Sequence, residues 1–220
     1  GTASALAVGD RATAMAEVLP ARNNRATLKE MHDMAEKLVE QGKLEDAVAM
    51  FEKSLRLKKN VYGAGHASVA DTQYSMALVL SKQGKLEEAV AMYEEALRVR
   101  KKVCGAEHES VADVLNDMAI QLDEQGKPEE AMAMFEEALR MTKKVHGAEH
   151  AHVADTLTRM AIVLQLQGKL EEAVAMLEEA LRVQKKVYGA VTQYSMALVL
   201  KRQGKLEEAV AMYEEAMLVV

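Results

Sequence analysis

The residues of this chain whose types and spacing could do chemistry are five Gly-Lys pairs, a periodic set of histidines and one cysteine. Gly42-Lys43, Gly84-Lys85, Gly126-Lys127, Gly168-Lys169 and Gly204-Lys205 suggest phosphate cradles at first sight. A phosphate-binding loop needs a further Gly five residues upstream and a Ser or Thr after the Lys, to bring backbone N–H groups and a metal-binding hydroxyl together. Here Leu or Pro128 follows the Lys and the upstream Gly is absent, so the pairs read as turns between helices. His66, His108 and His150 recur at a fixed spacing, with His146 and His152 beside His150. A metal site needs three or four converging ligands, and the periodic histidines stand a whole repeat apart. They read as linker residues that tie a loop to the next helix, and His146, His150 and His152 together would hold an adventitious ion at most. Cys104 takes the slot held elsewhere by Tyr62, His146 and Tyr188, which points to a half-exposed packing residue rather than a nucleophile. No Ser-His-Asp set, acid pair or zinc-hydrolase pattern stands out. The expectation is therefore a protein without enzymatic activity, cofactor or bound metal.

The elements that carry these residues are written in a repeated phrase. QGKLEEAVAMYEEA runs from Gln83 to Ala96 and again from Gln203 to Ala216, with near-copies from Gln41, Gln125 and Gln167. Internal repetition of this length marks stacked supersecondary units. The turn glycines Gly42, Gly84, Gly126, Gly168 and Gly204 are spaced by 42, 42, 42 and 36 residues. Between them, apolar residues such as Leu86, Ala89, Val90, Tyr93, Ala96 and Leu97 line one face of a helix. Each unit thus reads as helix, tight turn, helix and a longer linker such as GAGH or GAEH. Ser68 with Asp71, Ser110 with Asp113 and Thr27 with Glu30 resemble capping boxes at the start of the first helices. Gly63, Gly105, Gly147 and Gly189 stand where a helix commonly ends on a left-handed residue. Ala77, Ala119, Ala161 and Ala197, with Ala89, Ala131, Ala173 and Ala209, are small enough to let paired helices approach closely. The expected boundaries are an N-terminal extension, 1–26, holding a candidate short helix, and a solenoid over 27–220. Its five helix pairs are 27–62, 68–104, 110–146, 152–188 and 191–220.

Composition narrows the partners. Half of the 220 residues are hydrophobic, with 15 Met, 2 Pro and no Trp, as suits an all-α fold with ample material to bury. A net charge of −6 and a pI near 5.6 argue against nucleic acid as a partner. No apolar run approaches the roughly 18 residues of a membrane span, and the single Cys fits a reducing compartment. The cytoplasm is the expected location. The alternative is an organelle such as a plastid, since the Ala-rich start from Gly1 resembles what remains after a targeting segment is removed.

Met76, Ala77, Leu80, Gly84, Ala89, Tyr93, Ala96 and Leu97 stand at the spacings of the tetratricopeptide repeat, which this chain resembles over about residues 27–220. The 42-residue period with its GAEH-x-SVAD linker is similar to the long repeats of kinesin light chains and nephrocystin-type proteins. Where that family has His-Pro, Ala67, Glu109 and Ala151 follow the histidines here. The resemblance implies a right-handed superhelical solenoid of antiparallel helix pairs with a concave groove. By family position the groove residues are His32 and Glu36, Tyr74 and Leu78, Asn116 and Ile120, Thr158 and Ile162, then Tyr194 and Leu198, with Lys201 and Arg202 at the end of the row. It also implies an interaction scaffold or adaptor whose partners are proteins, taken as a peptide or helix in the groove. The alternative is a subunit fixed in a large multiprotein assembly.

Two local departures from the repeat carry expectations of their own. GAVT from Gly189 replaces the ten residues GAGHASVADT from Gly63, which predicts a clipped fifth first-helix starting near Val191 after a tight turn. The last second-helix ends EEAMLVV, without the basic residues that close its siblings. Tyr213, Met217, Leu218, Val219 and Val220 are therefore expected to pack on another protein or on further chain.

Overall fold

The computed structural model describes residues 21–183 and 189–218, and every regular element among them is a helix. Two compact units divide after Ala106. The first holds α1 (Ala21–Glu40), α2 (Leu44–Tyr62), α3 (Ala67–Lys82) and α4 (Leu86–Cys104). The second holds α5 (Glu109–Glu124), α6 (Pro128–His146), α7 (Ala151–Leu166), α8 (Leu170–Val183), α9 (Gly189–Arg202) and α10 (Leu206–Leu218). Consecutive helices pair as α1–α2 and α3–α4 in the first unit, and as α5–α6, α7–α8 and α9–α10 in the second. Between pairs, α2 packs on α3, α6 on α7 and α8 on α9, and in the second unit α7 also touches both α5 and α9.

The tight turn inside each pair comes from its glycine. Gly42 has φ 72°, a left-handed conformation that costs a residue with a Cβ. Its N–H reaches Val39 O at 2.9 Å while Lys43 N reaches Leu38 O at 2.9 Å, satisfying two carbonyls that the helix end leaves open. The same two bonds recur at Gly84, Gly126, Gly168 and Gly204. The Gly-Lys pairs are therefore helix stops, and they direct the second helix back along the first.

The pair is held close by small residues. Ala77, Ala119, Ala161 and Ala197 are 0–1 % exposed, and Ala89, Ala131, Ala173 and Ala209 are 0–2 %. Phe51, Tyr93, Phe135 and Leu177, one on each of α2, α4, α6 and α8, fill the space beside them and are fully buried. Each such side chain contributes about 1.5–3 kcal/mol by leaving water. Met76, Met118, Met160 and Met196 are buried on the first helices. The second methionine stripe is only half-buried at Met92, Met134, Met176 and Met212, while Met50 is buried.

Several local expectations need correction. The first helices α3, α5 and α7 are capped by histidine side chains and not by Ser68 or Ser110. His66, His108 and His150 each sit in extended backbone and accept the N–H two residues on, so each helix starts earlier than the serines suggested. Thr27 lies inside α1, which begins at Ala21, and so is not the N-cap of that helix. Cys104 is exposed at the end of α4, where half-exposure was expected. Only part of the shortened spacing falls in α9, whose 14 residues are two fewer than the 16 of α3, α5 and α7. Gly189, expected to end a helix, instead opens α9 two residues before the expected Val191, and the helix is continuous through that position. The linker before it, 184–188, lies outside the described residues.

Candidate functional site

In the first unit the expected groove positions on α1 and α3 are enclosed by charges of the unit itself. Lys58 projects from α2, is only 7 % exposed, and its Nζ donates to Thr72 Oγ1 at 2.7 Å. Burial lowers its pKa, opposed by the nearby carboxylates of Asp71, Asp33 and Glu36. His32 is half-buried with its ring edge-on to Phe51, centroids 5.3 Å apart, and its Nε2 is 3.4 Å from Glu36 Oε1. Burial first, and then the Lys58 ammonium, lower its pKa against Glu36, Asp33 and Asp71. One repeat later Arg100 lies over the Tyr74 ring, 4.6 Å from its centroid, and its Nη2 is 3.3 Å from Asp71 Oδ1. Tyr74 also meets Tyr93 edge-on, and Leu78 is half-buried. A cation on each second helix thus reaches the aromatic position of its own first helix and a polar group of α3.

The second unit fills equivalent positions differently. Thr142 replaces the cation and turns back to Ala138 O at 2.9 Å. Asn116 on α5 accepts from Thr156 Oγ1 at 3.3 Å. Thr158, expected to face a ligand, is buried: its hydroxyl donates to Ala154 O at 2.9 Å and lies 3.1 Å from Thr192 Oγ1. A short hydroxyl bonds its own helix one turn back, and the next helix covers it. What remains open is apolar. Ile162 on α7 is 41 % exposed, Tyr194 on the adjoining α9 is 54 %, and Ile120 and Leu198 are half-buried. Leu166, not named from the sequence, and Val191, named there only as a helix start, are 67 % and 68 % exposed. Leu166 was legible by comparison along the repeat, because the same position holds Glu40, Lys82, Glu124 and Arg202 in the other pairs. Arg202 Nη1 donates to Gln165 O at 2.8 Å, bringing a guanidinium beside Leu166, and Lys201 is exposed next to it. On the acidic side of this unit, burial raises the pKa of Asp123.

The end of α10 is a second apolar surface. Leu206, Val210 and Met217 are exposed, whereas their counterparts Leu170, Val174 and Leu181 on α8 are half-buried against a core that includes Met196, Val199 and Leu200 of α9. Tyr213 is half-buried and meets Tyr194 of α9 edge-on at 5.4 Å. Val219 and Val220 lie outside the described residues, and Leu218 closes the helix. Among the described residues no group of three or more His, Cys, Asp or Glu is arranged to hold a metal ion, and no helix is long and apolar enough to cross a membrane.

The tetratricopeptide repeat profile matches residues 24–102, 68–144 and 124–186, and a second tetratricopeptide repeat profile matches residues 190–219. No match was found among curated protein sequences. Among solved structures the chain is similar to BtubC (BKLC) from P. vanneervenii, with 19 % identity over 97 % of this chain and 88 % of that one, TM-score 0.80. It is similar to a putative kinesin light chain with nearly identical repeats from Podosopora anserina, with 22 % identity over 92 % and 96 % of the two chains, TM-score 0.75. MamA from Desulfovibrio magneticus RS-1 shares 13 % identity over 87 % and 94 %, TM-score 0.64. At these identities the likeness speaks for the fold, an all-α solenoid of antiparallel helix pairs. Helix pairs, turn glycines, paired alanines and profile matches over most of the sequence agree: the chain belongs to the tetratricopeptide repeat family.

Proposed function

We propose that this protein is a non-enzymatic interaction scaffold that takes a peptide or helix of a protein partner on the inner row of its second unit. The observation that carries the reading is the exposed apolar run of Ile162, Leu166 and Tyr194 on two neighbouring first helices. Leaving large apolar side chains in water has no benefit to folding, and a contiguous set of them commonly marks an interface. Tyr194 is a suitable anchor, since a rigid aromatic ring buries much area with little loss of side-chain freedom. Ile120 and Leu198 extend the floor, with Asn116, Lys201 and Arg202 as polar neighbours. His32, Glu36, Tyr74 and Leu78 contribute less, because the charges around them are already engaged within the first unit. The exposed Cys104 thiol suits a reducing cytoplasm.

Selection of a peptide library on the purified chain would supply a ligand. Ile162→Glu and Tyr194→Ala should then each weaken it about tenfold or more, the loss typical of an anchor residue, with helicity by circular dichroism unchanged. Undiminished binding by both variants would move the interface off this row. A second reading, a subunit fixed in a larger assembly, is favoured by the exposed Leu206, Val210 and Met217 on α10. Sedimentation separates the two: the scaffold stays monomeric when pure, and the fixed subunit self-associates through that face until Met217→Lys abolishes it.

A further inference from the structure

The linkers of this protein fasten their helices with imidazoles where a hydroxyl or a carboxylate is usual. His66 Nδ1 accepts from Ser68 N at 3.2 Å, His108 Nδ1 from Ser110 N at 3.2 Å, and His150 Nδ1 from His152 N at 3.3 Å. Nδ1 can accept only while the ring is neutral with its hydrogen on Nε2. A second proton goes onto Nδ1 itself, so the lone pair disappears and an N–H is set against another N–H. Serine, asparagine or aspartate at the same place would keep its acceptor through the mildly acidic range in which imidazoles as a class gain charge.

The joints differ in what happens next. Ser68 Oγ lies 2.9 Å from His66 Nδ1, and Ser110 Oγ lies 2.9 Å from His108 Nδ1. Either hydroxyl can accept the new N–H and keep loop and helix linked. At the third joint the serine is replaced by His152. The His150 ring stacks on His146 of α6, centroids 4.4 Å apart at 19°, and meets His152 of α7 edge-on at 4.8 Å, with His146 and His152 6.2 Å apart. The carboxylate facing this cluster is Glu109 of α5, whose Oε1 is 3.2 Å from His146 Nε2 and 3.8 Å from His152 Nδ1. Nearby, Lys144 and Arg140 of α6 are paired with Glu107, and Glu149 lies in the linker. By contrast, His66 stacks on Tyr62, 4.7 Å between centroids, and a phenol gains no positive charge in acid. Charging two or three rings at the third joint places like charges in contact beside the Glu109 carboxylate.

We propose that the histidine caps are proton-sensitive joints, and that the cap at His150, between α6 and α7, is the one that loosens on mild acidification. Because α7 carries Ile162 and Leu166, acid would slacken part of the row to which binding is assigned above. That consequence rests on the binding proposal, whereas the joint itself does not. Hydrogen exchange on the whole chain at pH 7.5 and 5.0, corrected for the intrinsic rate, reads the joint directly. Protection of the His152 amide and the first turn of α7 should fall on the order of fivefold, the equilibrium worth of one cap. The first turn of α3, after His66, should change less. His150→Asn keeps a side-chain acceptor that does not titrate, and it should remove the pH dependence at α7. Imidazole nitrogen spectra of the unaltered protein provide a test that needs no variant, and should show His150 protonated on Nε2 alone at pH 7.5. The proposal is overturned by an equal loss of protection in His150→Asn, by a His150 hydrogen on Nδ1 at pH 7.5, or by a ring that gains its second proton with α7 unaffected.

Discussion

The repeat positions expected to line a groove share one frame in the two units, and the units fill them in opposite ways. In the first unit Lys58 and Arg100 reach in from the second helices, where they meet His32, Tyr74, Thr72 and Asp71. In the second, Thr142 takes the place of the cation and bonds its own helix, and Ile162, Leu166 and Tyr194 are left in water. The lesson is that the frame tolerates either chemistry. Turn glycines, paired alanines and one large apolar side chain per second helix hold the pairs together, and the inner positions are free of that duty. A row whose charges satisfy one another has little to offer a ligand. On the binding proposed above, a row of open apolar side chains offers more.

The largest effect should come from the shared frame, and it tests whether the units are separable. Phe51→Ala and Phe135→Ala each remove a fully buried ring and should cost about 3–5 kcal/mol in denaturant unfolding. Hydrogen exchange should place the weakened amides in α1–α4 for Phe51→Ala and in α5–α10 for Phe135→Ala. Uniform weakening in both variants would show one cooperative block and dissolve the contrast between units.

Smaller changes are expected when the inner rows themselves are altered. For a ligand selected on the protein, Tyr194→Ala should cost about 1.4 kcal/mol or more. Tyr74→Ala, at the same repeat position under Arg100, should cost well under half of that. If isothermal titration ranks them the other way, the binding row belongs to the first unit.

Lys58 provides a test with a sign. Its folded-state pKa is lowered chiefly by burial, so the folded state binds that proton less readily than the unfolded chain. The charged group therefore destabilises the fold at neutral pH, and stability rises toward the ordinary lysine value near 10.4. Lys58→Met keeps the aliphatic stem and should raise stability at pH 7 by roughly 1 kcal/mol or less, flattening the alkaline limb of the stability curve. His32 has the same sign at lower pH: its pKa is also lowered, so its contribution is present above the ordinary imidazole value near 6.5 and is lost as pH falls below it. His32→Tyr, which copies Tyr74, should remove that part of the acid limb. A marked loss of stability at pH 7 in Lys58→Met would mean that the ammonium supports the first unit through its partners.

The smallest effect belongs to the outer surface, where the units should not differ. Glu95 and Arg98 are exposed at 2.7 Å on α4, and Lys143 and Glu179 meet at 2.9 Å between α6 and α8. Removing either pair should cost about 0–1 kcal/mol and less in high salt. Thermal melts at two salt concentrations suffice to check it.

The repeat is legible in the sequence because its causes are local. Gly42 and its four counterparts stop a helix through their own φ, and the apolar positions follow the 3.6-residue period whatever packs on them later. The positions of the paired alanines could therefore be read by counting along the repeat, and the proposed row of Ile120, Ile162, Tyr194 and Leu198 rests on the same count. Tertiary structure alone decided which of those positions are open. Thr158 was read as ligand-facing, but Thr192, 34 residues later, covers it. Lys58 gave no sign of being buried, because its surroundings come from α1 and α3 as well as its own helix. The serine caps failed for a related reason: a periodic pattern marks roughly where a helix begins, but the acceptor chosen for its first N–H depends on how the linker folds back. His66, His108 and His150 were visible as a period, and only their position against the next helix shows that they hold it.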